Sequence, residues 1–138
     1  MIVRPAPRRG QFEDEFWAWV QQRDLRLQSC TDCGRFRYPP GPTCPRCLSE
    51  HASWMSLSGQ GRLLSWAVFR KSYFDSMPLP YVVAAIETAE GPIMVGNLME
   101  PTESLRVDAP MQVYYELSRT TSGDELTICQ WKLSEDVG

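Results

Sequence analysis

The most constraining stretch of this chain runs from Cys30 to Cys47: Cys-Thr-Asp-Cys, ten residues of spacer, then Cys-Pro-Arg-Cys. Each Cys-x-x-Cys turn points two sulfurs into one corner. Two such corners close a tetrahedron around a soft divalent ion, most often zinc. Gly34 follows the first corner, where a tight turn is easiest without a Cβ. Four thiolates from Cys30, Cys33, Cys44 and Cys47 leave no open position for water or substrate, so the reading is a structural metal site. Spacing alone leaves iron open, since rubredoxin holds iron between similar corners. Zinc is favoured because the site introduces a much larger β-region for which an electron carrier has no evident need.

At 138 residues and 43% hydrophobic content, the chain is one compact unit with a small metal module attached to a larger core. A net charge of −3 and a pI near 5.2 build in no global attraction to nucleic acid or to an anionic membrane. Four of five cysteines in metal spacing, with no apolar leader after the arginines of the first ten residues, point to a reducing cytoplasm rather than a disulfide framework. No window approaches the roughly 18 apolar residues of a membrane span.

Residues 1–11 read as an extended arm, mobile or ordered by a partner, because Pro5, Pro7 and Gly10 discourage helix. From Phe12 to about Arg23, the residues Phe12, Phe16, Trp19 and Val20 recur at helical spacing, with Glu13, Asp14 and Glu15 favourable in the first turn. Trp17 lies off that stripe and reads as a second contact, to its own domain or to another chain. Residues 24–29 alternate as a short strand feeding Cys30. Gly59-Gln60-Gly61 reads as a hinge, and beyond it five strands are expected, at Leu63–Phe69, Tyr81–Glu87, Ile93–Met99, Met111–Leu117 and Leu126–Leu133. Five strands with short glycine-bearing hairpins suit an OB barrel, and the link over residues 100–110 is too short for the helix many such barrels insert.

These residues together resemble domain-of-unknown-function family 35, which joins a rubredoxin-like zinc ribbon to an OB fold. The resemblance rests on the N-terminal helix, Leu27 to Gly34, Tyr38-Pro39-Pro40, Cys44 to Cys47, Ser58 to Gly61 and Pro80 to Ala84. It implies a mainly β protein: arm and helix over 1–26, zinc ribbon over 27–58 and five-stranded barrel over 59–138. It also implies a non-catalytic companion of a thiolase-fold enzyme acting on acyl-CoA thioesters, one that forms a hetero-oligomer and helps shape the CoA or acyl channel. The candidate CoA contacts are Arg35, Arg37, Tyr38, Phe69, Arg70 and Lys71, and the candidate partner contacts are Phe12, Phe16, Trp17 and Trp19. Relatives usually carry a glycine before the fourth barrel strand, where this chain reads Val107-Asp108-Ala109-Pro110, so a different local turn is expected.

Thiolase-type chemistry needs a nucleophilic cysteine and proton-moving histidines. Outside the metal set there is one cysteine, Cys129, read as a small residue on the apolar face of the last strand, and one histidine, His51, read as structural or surface rather than as a metal ligand. Single-stranded nucleic-acid binding would use Trp66, Phe69, Arg70, Lys71 and Tyr73, with Arg35 and Arg37 nearby. The segment 81–99 has no lysine or arginine, which narrows any phosphate-tracking groove. A third class is an assembly module that docks a partner through aromatic faces without touching CoA.

Overall fold

The computed structural model describes residues 2–71 and 77–134. Strand β1 (Val3–Arg4) is followed by helix α1 (Gln11–Gln21), then by β2 (Arg26–Cys30), β3 (Phe36–Arg37) and β4 (Ala52–Ser56). The second half holds β5 (Gln60–Phe69), β6 (Tyr81–Thr88), β7 (Ile93–Leu98), a 3-10 turn (Thr102–Ser104), β8 (Pro110–Thr120) and β9 (Glu125–Leu133). The β2, β3 and β4 strands form a three-stranded antiparallel sheet in the order β3-β2-β4. The remaining strands form a six-stranded sheet in the order β1-β8-β5-β6-β7, with β9 paired to β8.

The five expected strands are present as β5 to β9, and the second sheet is an OB-type half-barrel. It curls so that β7 meets β9, and there the join is made by side chains: Gln130 Oε1 accepts from the Asn97 backbone N–H at 3.1 Å. Gly96 permits this approach, since a Cβ at that position would lie 3.0 Å from Gln130 Oε1. Strand edges that no ladder closes are a liability for pairing with other chains. On β9, Gln21 of α1 covers part of that edge by donating to the Thr127 carbonyl at 2.9 Å and accepting from its N–H at 3.0 Å. A side-chain amide thereby stands in for a neighbouring strand.

One apolar core joins both sheets. Alternation in β6 buries Val82, Ala84 and Ile86, which meet Leu63, Met94, Leu98, Met111 and Trp131. Phe16 and Val20 of α1 and Leu25 and Leu27 of the small sheet enter the same cluster. The helix ends two residues before its expected limit because Arg23 turns into the left-handed region at φ 58°. The Tyr115 hydroxyl accepts from the Leu25 N–H at 2.8 Å, tying the helix-to-β2 corner to β8.

Two expectations are corrected, and one further strand is present. The N-terminal arm is ordered by its own chain: Val3 and Arg4 pair in parallel with Arg119 and Thr120, and Arg4 bridges Glu116 at 3.2 Å. Residues 52–56 form β4, which the mixed pattern of alanine, serine, tryptophan and methionine did not announce. The turn before β8 keeps the left-handed conformation without glycine, because Asp108 adopts φ 68° and its carboxylate pairs with Arg62. Aspartate tolerates that region better than most non-glycine residues. Among the described residues, no helix is long and apolar enough to cross a membrane.

Candidate functional site

The ribbon brings the four expected cysteines together from two matching knuckles. In the first, Gly34 N donates to Cys30 O at 2.8 Å and Cys30 N to Arg35 O at 2.8 Å. In the second, Leu48 N donates to Cys44 O at 2.9 Å and Cys44 N to Ser49 O at 2.8 Å. Gly34 and Leu48 occupy equivalent positions, at φ 79° and 64°. The Sγ atoms of Cys30 and Cys47 are 3.6 Å apart, as are those of Cys33 and Cys44, and all four lie within 4.8 Å of one another. A tetrahedron with Zn–S bonds of about 2.3 Å has edges of about 3.8 Å. The four sulfurs are thus positioned to bind a metal ion, and their geometry fits zinc.

The electrostatics point the same way. Backbone N–H groups of Cys33 and Asp32 aim at the Cys30 sulfur and lower its pKa. The corresponding donors, Cys47 and Arg46, lower the Cys44 thiol to about 6. For Cys47, the Ser49 N–H acts downward, but desolvation and the sulfurs of Cys30, Cys33 and Cys44 push it up to about 12. Four thiolates this close need a cation between them. With all four sulfurs engaged, the site is closed, and it holds shape rather than activating water.

Asp32 ties the two knuckles from outside. Its carboxylate accepts from Ser49 Oγ, and His51 Nδ1 lies 3.3 Å from the same oxygen. His51 is exposed and is turned to Asp32, outside the sulfur set. This trio does not reproduce a serine hydrolase triad, since the imidazole does not lie between serine and aspartate. Cys129 lies away from it on β9, where burial pushes its thiol up to about 12. That makes it a poor nucleophile.

The candidate CoA residues differ in how far the fold leaves them exposed. Arg35 is exposed, but Arg37 is only 4% exposed and donates Nη1 to the Gly41 carbonyl at 3.3 Å, so the fold withholds it from a phosphate. Tyr38 turns inward, edge-on to Phe16 at 6.0 Å, and burial raises its pKa. Phe69 stacks on Tyr81 at 5.1 Å, leaving Arg70 and Lys71 as an exposed pair just past the end of β5, whereas Arg35 precedes β3.

Of the candidate partner residues, Phe16 is 5% exposed in the chain's own core and is withdrawn from any docking face. Trp17 packs edge-on against it at 5.3 Å. Phe12 is half-buried, and Trp19 carries the Arg26 guanidinium 3.9 Å above its ring. The stacking platform of the nucleic-acid reading is not assembled: Trp66 packs against the core and Phe69 on Tyr81, while Tyr73 lies outside the described residues.

A cleft beside the β7–β9 join is lined by Arg4, Gly96, Asn97, Gln130 and Trp131, none of them an expected site residue, together with Phe16, Trp17 and Tyr38, which are. A glycine inside a strand, followed by a polar residue, was the available signal for close approach at that point.

Comparison with known proteins follows the same division. Residues 17–52 match the family model described as "ChsH2, rubredoxin-like zinc ribbon domain", and residues 54–116 match "ChsH2, C-terminal OB-fold domain". A "Probable enoyl-CoA hydratase alpha subunit" from Thermomonospora curvata is 36% identical over 98 residues, 70% of this chain and 30% of the relative. The chain thus spans under a third of that relative's length. A "DUF35 domain-containing scaffold protein" from Pyrococcus furiosus is 27% identical, covering 64% of this chain and 67% of that protein. Among solved structures, a chain of the "Ltp2-ChsH2(DUF35) aldolase" superposes with a TM-score of 0.80 at 27% identity, over 93% of this chain and 98% of that one.

Proposed function

Because this chain belongs to domain-of-unknown-function family 35, we propose that it is a non-catalytic accessory subunit of a thiolase-like enzyme acting on acyl-CoA thioesters. On this reading the partner carries the catalytic residues. The ribbon and half-barrel stabilise it and complete the entrance for CoA and acyl chain, the whole forming a hetero-oligomer. The zinc is structural.

The observation that supports this most is the state of the chain's own reactive groups. Four thiols are committed to a closed metal set, Cys129 is held protonated by burial, and His51 is bound to Asp32 at the surface. Among the described residues, Cys129 lies on β9 and His51 beside the knuckles, so the activated nucleophile and base that thioester chemistry needs are not assembled. The names of the relatives add a consistent context, being a hydratase subunit, a scaffold protein and an aldolase complex. Direct contact with CoA would fall to the exposed Arg35, Arg70 and Lys71, with Arg37 excluded by burial.

The test is reconstitution. The thioester-processing enzyme that co-purifies with this chain is expected to lose activity or solubility when expressed alone and to regain both when the zinc-loaded chain is added. A partner fully active and soluble by itself defeats the proposal. A salt-sensitive gel shift of single-stranded DNA or RNA at physiological ionic strength would instead favour the nucleic-acid reading.

A further inference from the structure

The cleft beside the β7–β9 join has a volume of about 480 Å³ and is bounded by the N-terminal arm, the middle of α1, strand β6 and both strands of the join. Small-molecule sites commonly fall between about 300 and 1,000 Å³. Its walls are mainly apolar, including Trp17, Val83, Met94, Leu126 and Ile128. Apolar walls alone would not single out an occupant.

Two polar groups do. Trp131 is 1% exposed and its Nε1 donor has no acceptor; Arg4 Nε, on the same cleft, is likewise buried without one. Buried donors normally have partners, and an unmet one is costly. Gly96 lies beside the indole edge: a Cβ there would stand 3.7 Å from Trp131 Cδ1, the ring atom bonded to Nε1. The charge of Arg4 is already countered by Glu116 at 3.2 Å, and its Nη2 is shared with Asn97 Oδ1 at 3.3 Å. The cleft therefore offers donors without offering a free cation, which disfavours an anionic ligand.

The geometry points to a binding site for a neutral, mainly apolar small molecule that presents an accepting oxygen, such as a ketone carbonyl, to Trp131 Nε1. Arg4 Nε provides a second donor at the same wall. This site is separate from the metal centre and from the exposed arginines and lysine proposed for CoA. It also stands without the accessory-subunit reading, because binding is measured on this chain alone.

The experiment uses the zinc-loaded 138-residue chain and 2-undecanone as probe, followed by the indole N–H signals of its five tryptophans in a ¹H–¹⁵N spectrum. The signal that disappears in Trp131→Phe is expected to move, with saturation, as the ketone is added. Trp131→Phe should weaken binding about tenfold by loss of one hydrogen bond to a buried site. Val83→Trp changes a half-buried lining residue without disturbing the donor, and should weaken binding by at least as much through loss of space. Undecanoate should bind at least tenfold more weakly than the ketone. The proposal is overturned by an absence of saturable shift up to the ketone's solubility, by unchanged affinity in Val83→Trp, or by equal binding of the carboxylate. It is also overturned if the partner enzyme itself moves the Trp131 signal and blocks the ketone, which would make the cleft a protein docking pocket.

Discussion

The knuckle end of the ribbon and the half-barrel are held by opposite means. From Cys30 to Cys47 the only fully buried residues are Cys30, Arg37 and Cys44, with Phe36 and Tyr38 lending partly buried rings to the core outside the knuckles. From Leu63 to Trp131 the interior is a continuous apolar cluster. A segment with no apolar interior of its own depends on a ligand for its shape, and one with a continuous core does not. Loss of the ion and loss of a core side chain should therefore fail in different places.

The largest expected effect is Cys44→Ser. Metal binding contributes on the order of 10 kcal/mol in small zinc modules, and Cys44 is a fully buried ligand. Zinc content should fall from one ion per chain to none, as read by elemental analysis, and the amides of β3 and the two knuckles should lose hydrogen-exchange protection. Those of β5, β6 and β8 should keep theirs. If protection is lost throughout, the two regions are one cooperative unit and the contrast between them fails.

Leu63→Ala probes the other side. Leu63 is fully buried at the centre of the cluster, and truncating such a leucine costs about 3 kcal/mol. The denaturant midpoint of the barrel should drop accordingly, while zinc stoichiometry in buffer stays at one. Because Leu25 and Leu27 share this cluster, the ribbon should lose its anchor when the barrel melts, whereas the barrel keeps its fold when the ribbon does. The dependence is expected to run in one direction.

What could be read in the sequence follows the same contrast. The cysteine spacing specifies both knuckles because a ligand set is a local signal. The long strands are legible because each has its own apolar pattern. What escaped depends on contacts between distant segments. Strand β1 is two residues long and exists only because β8 offers it a free edge. The burial of Arg37 is decided by the opposite strand, where it pairs with Gln28, and no property of the spacer itself announces it. The cleft is assembled from Arg4, Asn97 and Trp131, more than thirty positions apart along the chain. The left-handed turn at Asp108 carries no glycine to mark it in the sequence, and an aspartate held by Arg62 fills the position instead.

The smallest effect separates the two knuckles from each other. They share the same hydrogen bonds, yet the left-handed position is Gly34 in one and Leu48 in the other, at φ 64° and with its side chain 75% exposed. Holding a non-glycine residue there costs about 1–2 kcal/mol. Replacing it with glycine gives back about 0.5–1 kcal/mol through the greater freedom of the unfolded chain. Leu48→Gly should therefore stabilise the metal-bound ribbon by about 0.5 kcal/mol, close to a twofold gain in zinc affinity by chelator competition. A loss of affinity would mean that the leucine side chain supports the second knuckle by packing, and the two corners would then differ in more than their backbone. The exposure of that side chain leaves it available to a partner. Placing the same substitution in the reconstituted complex asks what it contributes there: if Leu48 meets the partner enzyme, zinc affinity rises as predicted while the partner binds more weakly.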